Sequence, residues 1–244
     1  MNNQPPEKRV RHAQHMLDVH SIFITIQGEG PFCGVPCVFV RLAGCNLQCP
    51  ACDTDYTSTR NHMGPYEVLA QVNELWRADG WRPGLVVVTG GEPFRQNLTE
   101  LFRVLTGNGY RVQVESNGTL APSMWEYTIH ANPLHSQLDD RERVYIVCSP
   151  KTPKLNRDTL ENACALKYVV RAGMVDADGL PLSALDMPNR PARPPHDWDR
   201  PVYVQPLDSK DDSENRAHTA AAVASCLRHG YTLQIQVHKV IGVE

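Results

Sequence analysis

Gly44-Cys45-Asn46-Leu47-Gln48-Cys49-Pro50-Ala51-Cys52-Asp53-Thr54 packs three cysteines at C-x-x-x-C-x-x-C spacing into one loop, directly after an apolar run. Three thiolates at this spacing can converge on one metal centre and leave a coordination position open. A structural zinc site takes four protein ligands and is closed, whereas an iron–sulfur cube held by three cysteines keeps one iron for another ligand. Three close cysteines with no near fourth ligand favour the cube. His62 downstream and Cys33 and Cys37 upstream keep a closed zinc site as the alternative. Cys33 and Cys37 also read as small buried hydrophobes, or as a rival pairing for the cluster.

The 244 residues fit one domain with a sizeable core, and the net charge of −3 is spread without a basic block or stripe. That excludes a phosphate-backbone binder, so no nucleic acid is expected as a direct partner. The polar Met1-Asn2-Asn3-Gln4-Pro5-Pro6-Glu7-Lys8 and the lack of any apolar run of bilayer length lead to the expectation of a soluble, cytoplasmic chain with no membrane partner. Eight cysteines, unpatterned outside the triad, suit a reducing compartment.

Residues 1–15 read as a flexible arm before a single core domain, 16–244. Ile22, Ile24 and Ile26 alternate with polar neighbours, predicting a half-buried strand over Val19–Ile26 that runs into Gln27-Gly28-Glu29-Gly30, a turn or a close backbone approach to a ligand. Cys37–Leu42 reads as a buried strand, and Arg41 on it needs an acid or an anionic ligand. Pro65 opens a helix to about Asp79 with Gly80 as its stop. Leu85–Thr89 has the all-apolar character of a central parallel strand and ends in Gly90-Gly91-Glu92-Pro93. Asn97 reads as the cap of a helix ending near Gly107, followed by strands at Tyr110–Val114 and Val144–Val147, a helix at Thr159–Cys164 and a strand at Lys167–Val170. Prolines recur through about 180–201, predicting a mobile surface excursion near the active site. Val202–Pro206, a helix over Ser213–His229 and a last strand, Thr232–Val237, complete the pattern. Polar clusters close each strand, which predicts an α/β fold, a partial (βα) barrel with function at the carboxyl ends of its strands.

The cysteine spacing resembles the radical S-adenosylmethionine superfamily. The flanking runs Phe23–Gly30, Gly34-Val35-Pro36, Phe39–Cys45, Cys52-Asp53-Thr54, Thr89–Pro93, Ser149-Pro150-Lys151, Gln205-Pro206-Leu207 with Lys210-Asp211-Asp212, and Val237-His238-Lys239 resemble the 7-carboxy-7-deazaguanine synthase family in order. The resemblance implies conversion of 6-carboxy-5,6,7,8-tetrahydropterin to 7-carboxy-7-deazaguanine with loss of ammonia, for queuosine and other 7-deazapurines. It implies a [4Fe-4S] cluster on Cys45, Cys49 and Cys52, and S-adenosyl-L-methionine (SAM) against Ala51, Asp53, Gly91, Glu92, Ser149, Pro150, Lys151, Gln205, Pro206, Leu207 and Asp208. It further implies Mg2+ on Thr54, and the pterin substrate against Ile26, Gln27, Gly28, Glu29, Arg41, Thr89 and His238. No side chain is implied as a catalytic acid or base, since the radical comes from the cofactor. A homodimer and an electron donor such as a flavodoxin are implied as partners. The residue before the third cysteine is often aromatic in the superfamily and is Ala51 here, so adenine binding is weaker or uses another residue. Two alternatives stand beside this reading: an activase of glycyl-radical enzymes, and a non-catalytic metal-binding interaction module.

Overall fold

The structure, a computed structural model, describes residues 2–10, 16–78, 84–122 and 144–243. Its strands are β1 (Leu17–Ile26), β2 (Pro36–Leu42), β3 (Asn61–Met63), β4 (Leu85–Gly90), β5 (Arg111–Ser116), β6 (Val144–Cys148), β7 (Ala163–Val170), β8 (Val202–Pro206) and β9 (Thr232–Leu233). They form one nine-stranded sheet in the order β3-β1-β2-β4-β5-β6-β7-β8-β9. Every pairing from β2 to β9 is parallel, whereas β1 runs antiparallel to β2 and β3. The described helices are α1 (Pro65–Ala78), α2 (Thr99–Gly107), α3 (Arg157–Asn162), α4 (Asp212–His229) and α5 (Val237–Ile241). The order has two ends, as the expected partial (βα) barrel requires.

Both sheet faces are buried, and this is why strands such as Leu85-Val86-Val87-Val88 read as continuous apolar runs. One core joins Val38, Val40, Val86, Val88, Val112 and Ile146 to Val68, Val72 and Trp76 of α1 and to Leu101 and Leu105 of α2. A smaller one joins Leu85, Val87, Tyr145, Val147 and Ala165 to Phe32. Phe32 belongs to the segment after β1, and Ile26 pairs with Pro36, so that segment enters from the amino-terminal end of the parallel strands.

Several boundaries differ from the sequence reading. Asn97 is not the cap of α2: its side chain accepts from Thr99 N at 3.1 Å, a local turn that moves the first helical residue to Thr99. α3 starts early, at Arg157, because Asn156 caps it by accepting from Thr159 N at 3.2 Å, and it ends at Asn162, where Ala163 turns extended and begins β7 with Cys164. The proposed stop Gly80 lies outside the described residues. Regular strand ends at Leu233, and 237–241 is a helical turn. There the alternation is inverted: Gln234 is buried while Leu233 and Ile235 are exposed. The arm expected to be loose is docked over 2–10, with Glu7 N donating to Cys45 O at 2.7 Å. The proline-rich excursion is packed rather than mobile, with Leu180 and Ala184 buried and Arg193 Nε on Asp178 at 2.7 Å.

Gly90 has φ +118, and a Cβ there would lie 2.1 Å from Leu42 O of the neighbouring strand, whereas a Cβ on Gly107 meets nothing within 4 Å. Gly90→Ala should therefore lower the unfolding free energy by roughly 2 kcal/mol or more, and Gly107→Ala should leave it equal or higher by about 0.5 kcal/mol. Urea unfolding checks both, and equal midpoints for the two variants would contradict this backbone assignment.

Candidate active site

The carboxyl ends of the parallel strands open on a cavity of about 470 Å³. Arg41 of β2, Thr89, Gly90 and Gly91 at β4, Glu115 to Asn117 at β5, Ser149 and Lys151 after β6, Lys167 and Val169 of β7, and Gln205 to Asp208 at β8 all line it. The cysteine loop forms another wall through Cys45, Cys49, Ala51, Cys52, Asp53 and Thr54. A second cavity, about 420 Å³ beside β1 and β3, is lined by Val19, Ser21, Ile22, Asn61, Met63, Glu67 and Gln71 and contains no predicted site residue.

The glycines after β4 exist because the cysteine loop crosses there. A Cβ on Gly91 would lie 2.1 Å from Gly44 O, and Glu92 N donates to that carbonyl at 3.1 Å. Burial pushes the Cys45 thiol up to about 12 and raises Cys49 and Cys52. For the latter two the Lys151 ammonium partly offsets burial by favouring the thiolate. Among the described residues Lys151 has no carboxylate within ion-pair distance, and its bonds go to Ser149 O and Oγ, at 3.1 and 2.5 Å. Three sulfurs on one wall, beside a buried cation lacking a carboxylate, fit an iron–sulfur cluster, whose net charge is negative and whose thiolates sit on separate irons. Among the described residues no three His, Cys, Asp or Glu side chains gather around a single-ion position.

Deeper in, Lys167, only 7% exposed, lies between two carboxylates: its Nζ contacts Glu29 Oε2 and donates to Glu115 Oε2 at 2.7 Å. Glu29 also accepts from Gln236 Nε2 at 2.7 Å and Gln205 Nε2 at 3.3 Å. Burial opposes ionisation of Glu29, but the Lys167 charge outweighs it and holds the carboxyl below the usual range. Lys239 of α5 makes a second clamp, 3.0 Å from Asp53 Oδ2 and 2.9 Å from Asp208 Oδ2. Its hydrogen bond holds Asp208 down at about 2.

Arg41 pairs in register with Thr89, and its guanidinium carbon lies 5.0 Å from the Phe23 ring centroid. Gln27 Nε2, Gln205 Oε1 and His238 Nδ1 are buried atoms of cavity-lining residues with no hydrogen-bond partner. Gly28 lies behind His238: a Cβ there would be 1.9 Å from Nδ1.

The cavity thus gathers all the predicted positions except Ile26, Gly28, Glu92 and Pro150, which do not line it. Glu92 is wholly buried and already accepts from Phe94 N, Ser116 Oγ and Asn117 N at 3.0, 2.9 and 2.7 Å, so it braces the ends of β4 and β5 instead of facing a ligand. Burial lifts its carboxyl to about 7. Sequence reasoning missed Glu115, Asn117, Lys167, Gln236 and Lys239. A lysine amid the apolar Ala163–Val170 run was the available signal for Lys167. The predicted excursion supplies Leu185, whose carbonyl accepts from Ala51 N at 3.1 Å and which lines the cavity.

A family model described as a 4Fe-4S single cluster domain matches residues 26–142. A 7-carboxy-7-deazaguanine synthase of Rhodospirillum rubrum is 41% identical over 239 residues, covering 93% of this chain and 92% of that protein. One of Rickettsia prowazekii is 34% identical over 235 residues, covering 93% and 89%. A solved structure titled "Crystal structure of QueE from Escherichia coli" shares the fold, with a TM-score of 0.62 at 22% identity over 91% of this chain and 94% of that one.

Glu29 is ionised below the ordinary carboxylate range, so its contribution to stability is complete above the unfolded-state value and is lost as pH falls through the depressed folded one. Glu29→Gln should flatten the acid limb of a stability–pH curve in that window. Lys167→Met should cost roughly 3–5 kcal/mol at neutral pH, since two buried carboxylates lose their cation. An acid limb unchanged in Glu29→Gln would sink the ion-triad account.

Proposed function

This chain belongs to the 7-carboxy-7-deazaguanine synthase family, and on that premise we propose that it converts 6-carboxy-5,6,7,8-tetrahydropterin to 7-carboxy-7-deazaguanine with loss of ammonia, a lyase step of queuosine and 7-deazapurine biosynthesis. The observation that carries the reading is one cavity lined both by the three cysteines and by Gln27, Arg41, Gln205 and His238.

Cys45, Cys49 and Cys52 would hold the [4Fe-4S] cluster, with SAM beside it, and together these groups supply one-electron radical chemistry when bound. Lys151 offsets the negative charge of the thiolates. Gly91, Ser149 and the Gln205 to Asp208 stretch offer backbone and side-chain groups to SAM at the strand ends. Arg41 presents two parallel donors to the substrate carboxylate, while Gln27, Gln205 and His238 offer polar side chains to the ring. Thr54, whose hydroxyl donates to Asp53 Oδ1 at 3.4 Å, offers an oxygen to Mg2+, which keeps water and substrate ligands for the rest. Glu29 lines the cavity and is held there by Lys167, Gln205 and Gln236. Neither the activase nor the non-catalytic module accounts for Gln27, Arg41, Gln205 and His238 sharing one cavity with the three cysteines.

No described helix is long and apolar enough to cross a membrane. A cytoplasmic setting agrees with eight free cysteines. The exposed Leu233, Ile235, Val240 and Ile241 offer an apolar face for a homodimer, and an external one-electron donor such as a flavodoxin completes the proposal.

Anaerobically reconstituted protein should convert the carboxypterin in the presence of SAM and a reductant. Arg41→Ala should weaken pterin binding about 10- to 100-fold, the worth of a charged hydrogen bond, and keep four irons per chain, as the cube requires. Loss of the cluster in Arg41→Ala would make the arginine structural, and absence of product from the loaded wild type would end the synthase reading.

A further inference from the structure

The cysteine loop has no regular secondary structure, and besides the internal bond from Cys52 N to Cys49 O at 3.1 Å several of its carbonyls and amides find partners outside it. Many of those partners come from residues 2–7. Asn2 N donates to Pro50 O at 2.9 Å, and Asn2 Nδ2 donates to Cys49 O at 3.1 Å and Tyr56 Oη at 3.2 Å. Gln4 Nε2 donates to Thr54 O at 2.9 Å, while Gln4 Oε1 accepts from Tyr56 N at 2.8 Å and Thr57 Oγ1 at 3.0 Å. Glu7 N donates to Cys45 O at 2.7 Å. Two cluster-ligand residues therefore have their carbonyls held by the arm.

The arm is keyed in place by charge. Arg95, 1% exposed, directs Nη2 at Glu7 Oε2 at 2.5 Å, and Arg60 Nη2 meets Glu7 Oε1 at 2.5 Å. Among the described residues no other carboxylate pairs with Arg95. Its guanidinium sits against Gly44, where a Cβ would be 2.3 Å from Nη2. A buried arginine at the foot of the cysteine loop thus takes its counter-charge from the arm.

Resting on the cluster reading, we infer that residues 2–7 form a strap that positions the cysteine loop, with Asn2, Gln4 and Glu7 as positioning residues that hold Cys45, Cys49 and Cys52 in cluster-binding register. Removing the strap's bonds should open this loop locally while the barrel stays folded.

The test compares the full-length wild type with Asn2→Ala/Gln4→Ala, which spares Arg95, and with Glu7→Gln. In metal-free protein, alkylation of each cysteine is followed by mass spectrometry, with the core thiols Cys148 and Cys164 as references. The double variant should label Cys45, Cys49 and Cys52 faster by roughly fivefold or more, the factor one lost net hydrogen bond makes in a local opening, with reference rates unchanged. Reconstituted variants should lose iron to a chelator correspondingly faster and show a broadened electron paramagnetic resonance signal on reduction. Unchanged labelling in the double variant would overturn the strap, and so would equal acceleration at all the cysteines, which would mean support of the whole fold. A wild type that takes up no iron would end the cluster reading, and the labelling ratio would still decide the strap.

Discussion

The buried ammonium of Lys167 is the contact on which the interior of this molecule depends. It sits above the apolar layer of Phe32, Tyr145, Val147 and Ala165, where a lone charge would be strongly disfavoured. Its carboxylates come from different elements, Glu29 from the turn after β1 and Glu115 from β5. Through Gln205 and Gln236, Glu29 also reaches β8 and the approach to α5. One cation therefore joins segments distant in the chain, and it does so where the cavity floor must be rigid. Breaking such a group leaves unpaired buried charge, so its members act as a unit.

The cysteine loop depends on a different constraint, close backbone approach. Gly44 and Gly91 admit Arg95 and the loop carbonyl at distances a Cβ would forbid. The loop is thus held between the β4 end on one side and residues 2–7 on the other. Lys151 adds the local positive charge that thiolates need, and its own bonds to Ser149 fix where that charge sits.

Much of this was legible in the sequence because the signals were local. The cysteine spacing, the glycines after an all-apolar strand and the polar ends of successive strands each name a chemistry without knowledge of the fold. Arg41 announced itself as a guanidinium on an apolar strand. Lys167 carried the same kind of signal, but its partners lie 138 and 52 residues away, and no local pattern names them. Glu92 misled because its motif is shared with a ligand-binding role, while here three donors from the ends of β4 and β5 occupy it. The last strand misled for a geometric reason. Alternation marks two faces but does not say which is inside, and here the inside is polar: Gln234 donates to Gly30 O and Gln236 to Glu29, which leaves Leu233 and Ile235 exposed. The arm looked disordered since its composition is polar, yet its polar groups are what the irregular loop beside it needs.

The distribution of charge in the cavity explains how an acidic wall can accept an anionic ligand. Glu29, Asp53, Asp55, Glu115 and Asp208 all line it. Unpaired, each would oppose a substrate carboxylate by about 4 kcal/mol at 4 Å in a medium of intermediate dielectric. Lys167 bridges Glu29 and Glu115, and Lys239 bridges Asp53 and Asp208, so each clamp sets one positive charge between two negative ones and offsets part of their repulsion. Arg41 and Lys151 line the same space. Four basic side chains thus line the same cavity as the acids, and the acids of the two clamps serve to fix lysines in place. Since Lys239 is carried on α5, the clamp on Asp53 and Asp208 exists only with that helix seated, so a segment late in the sequence fixes an acid next to the third cysteine of the loop.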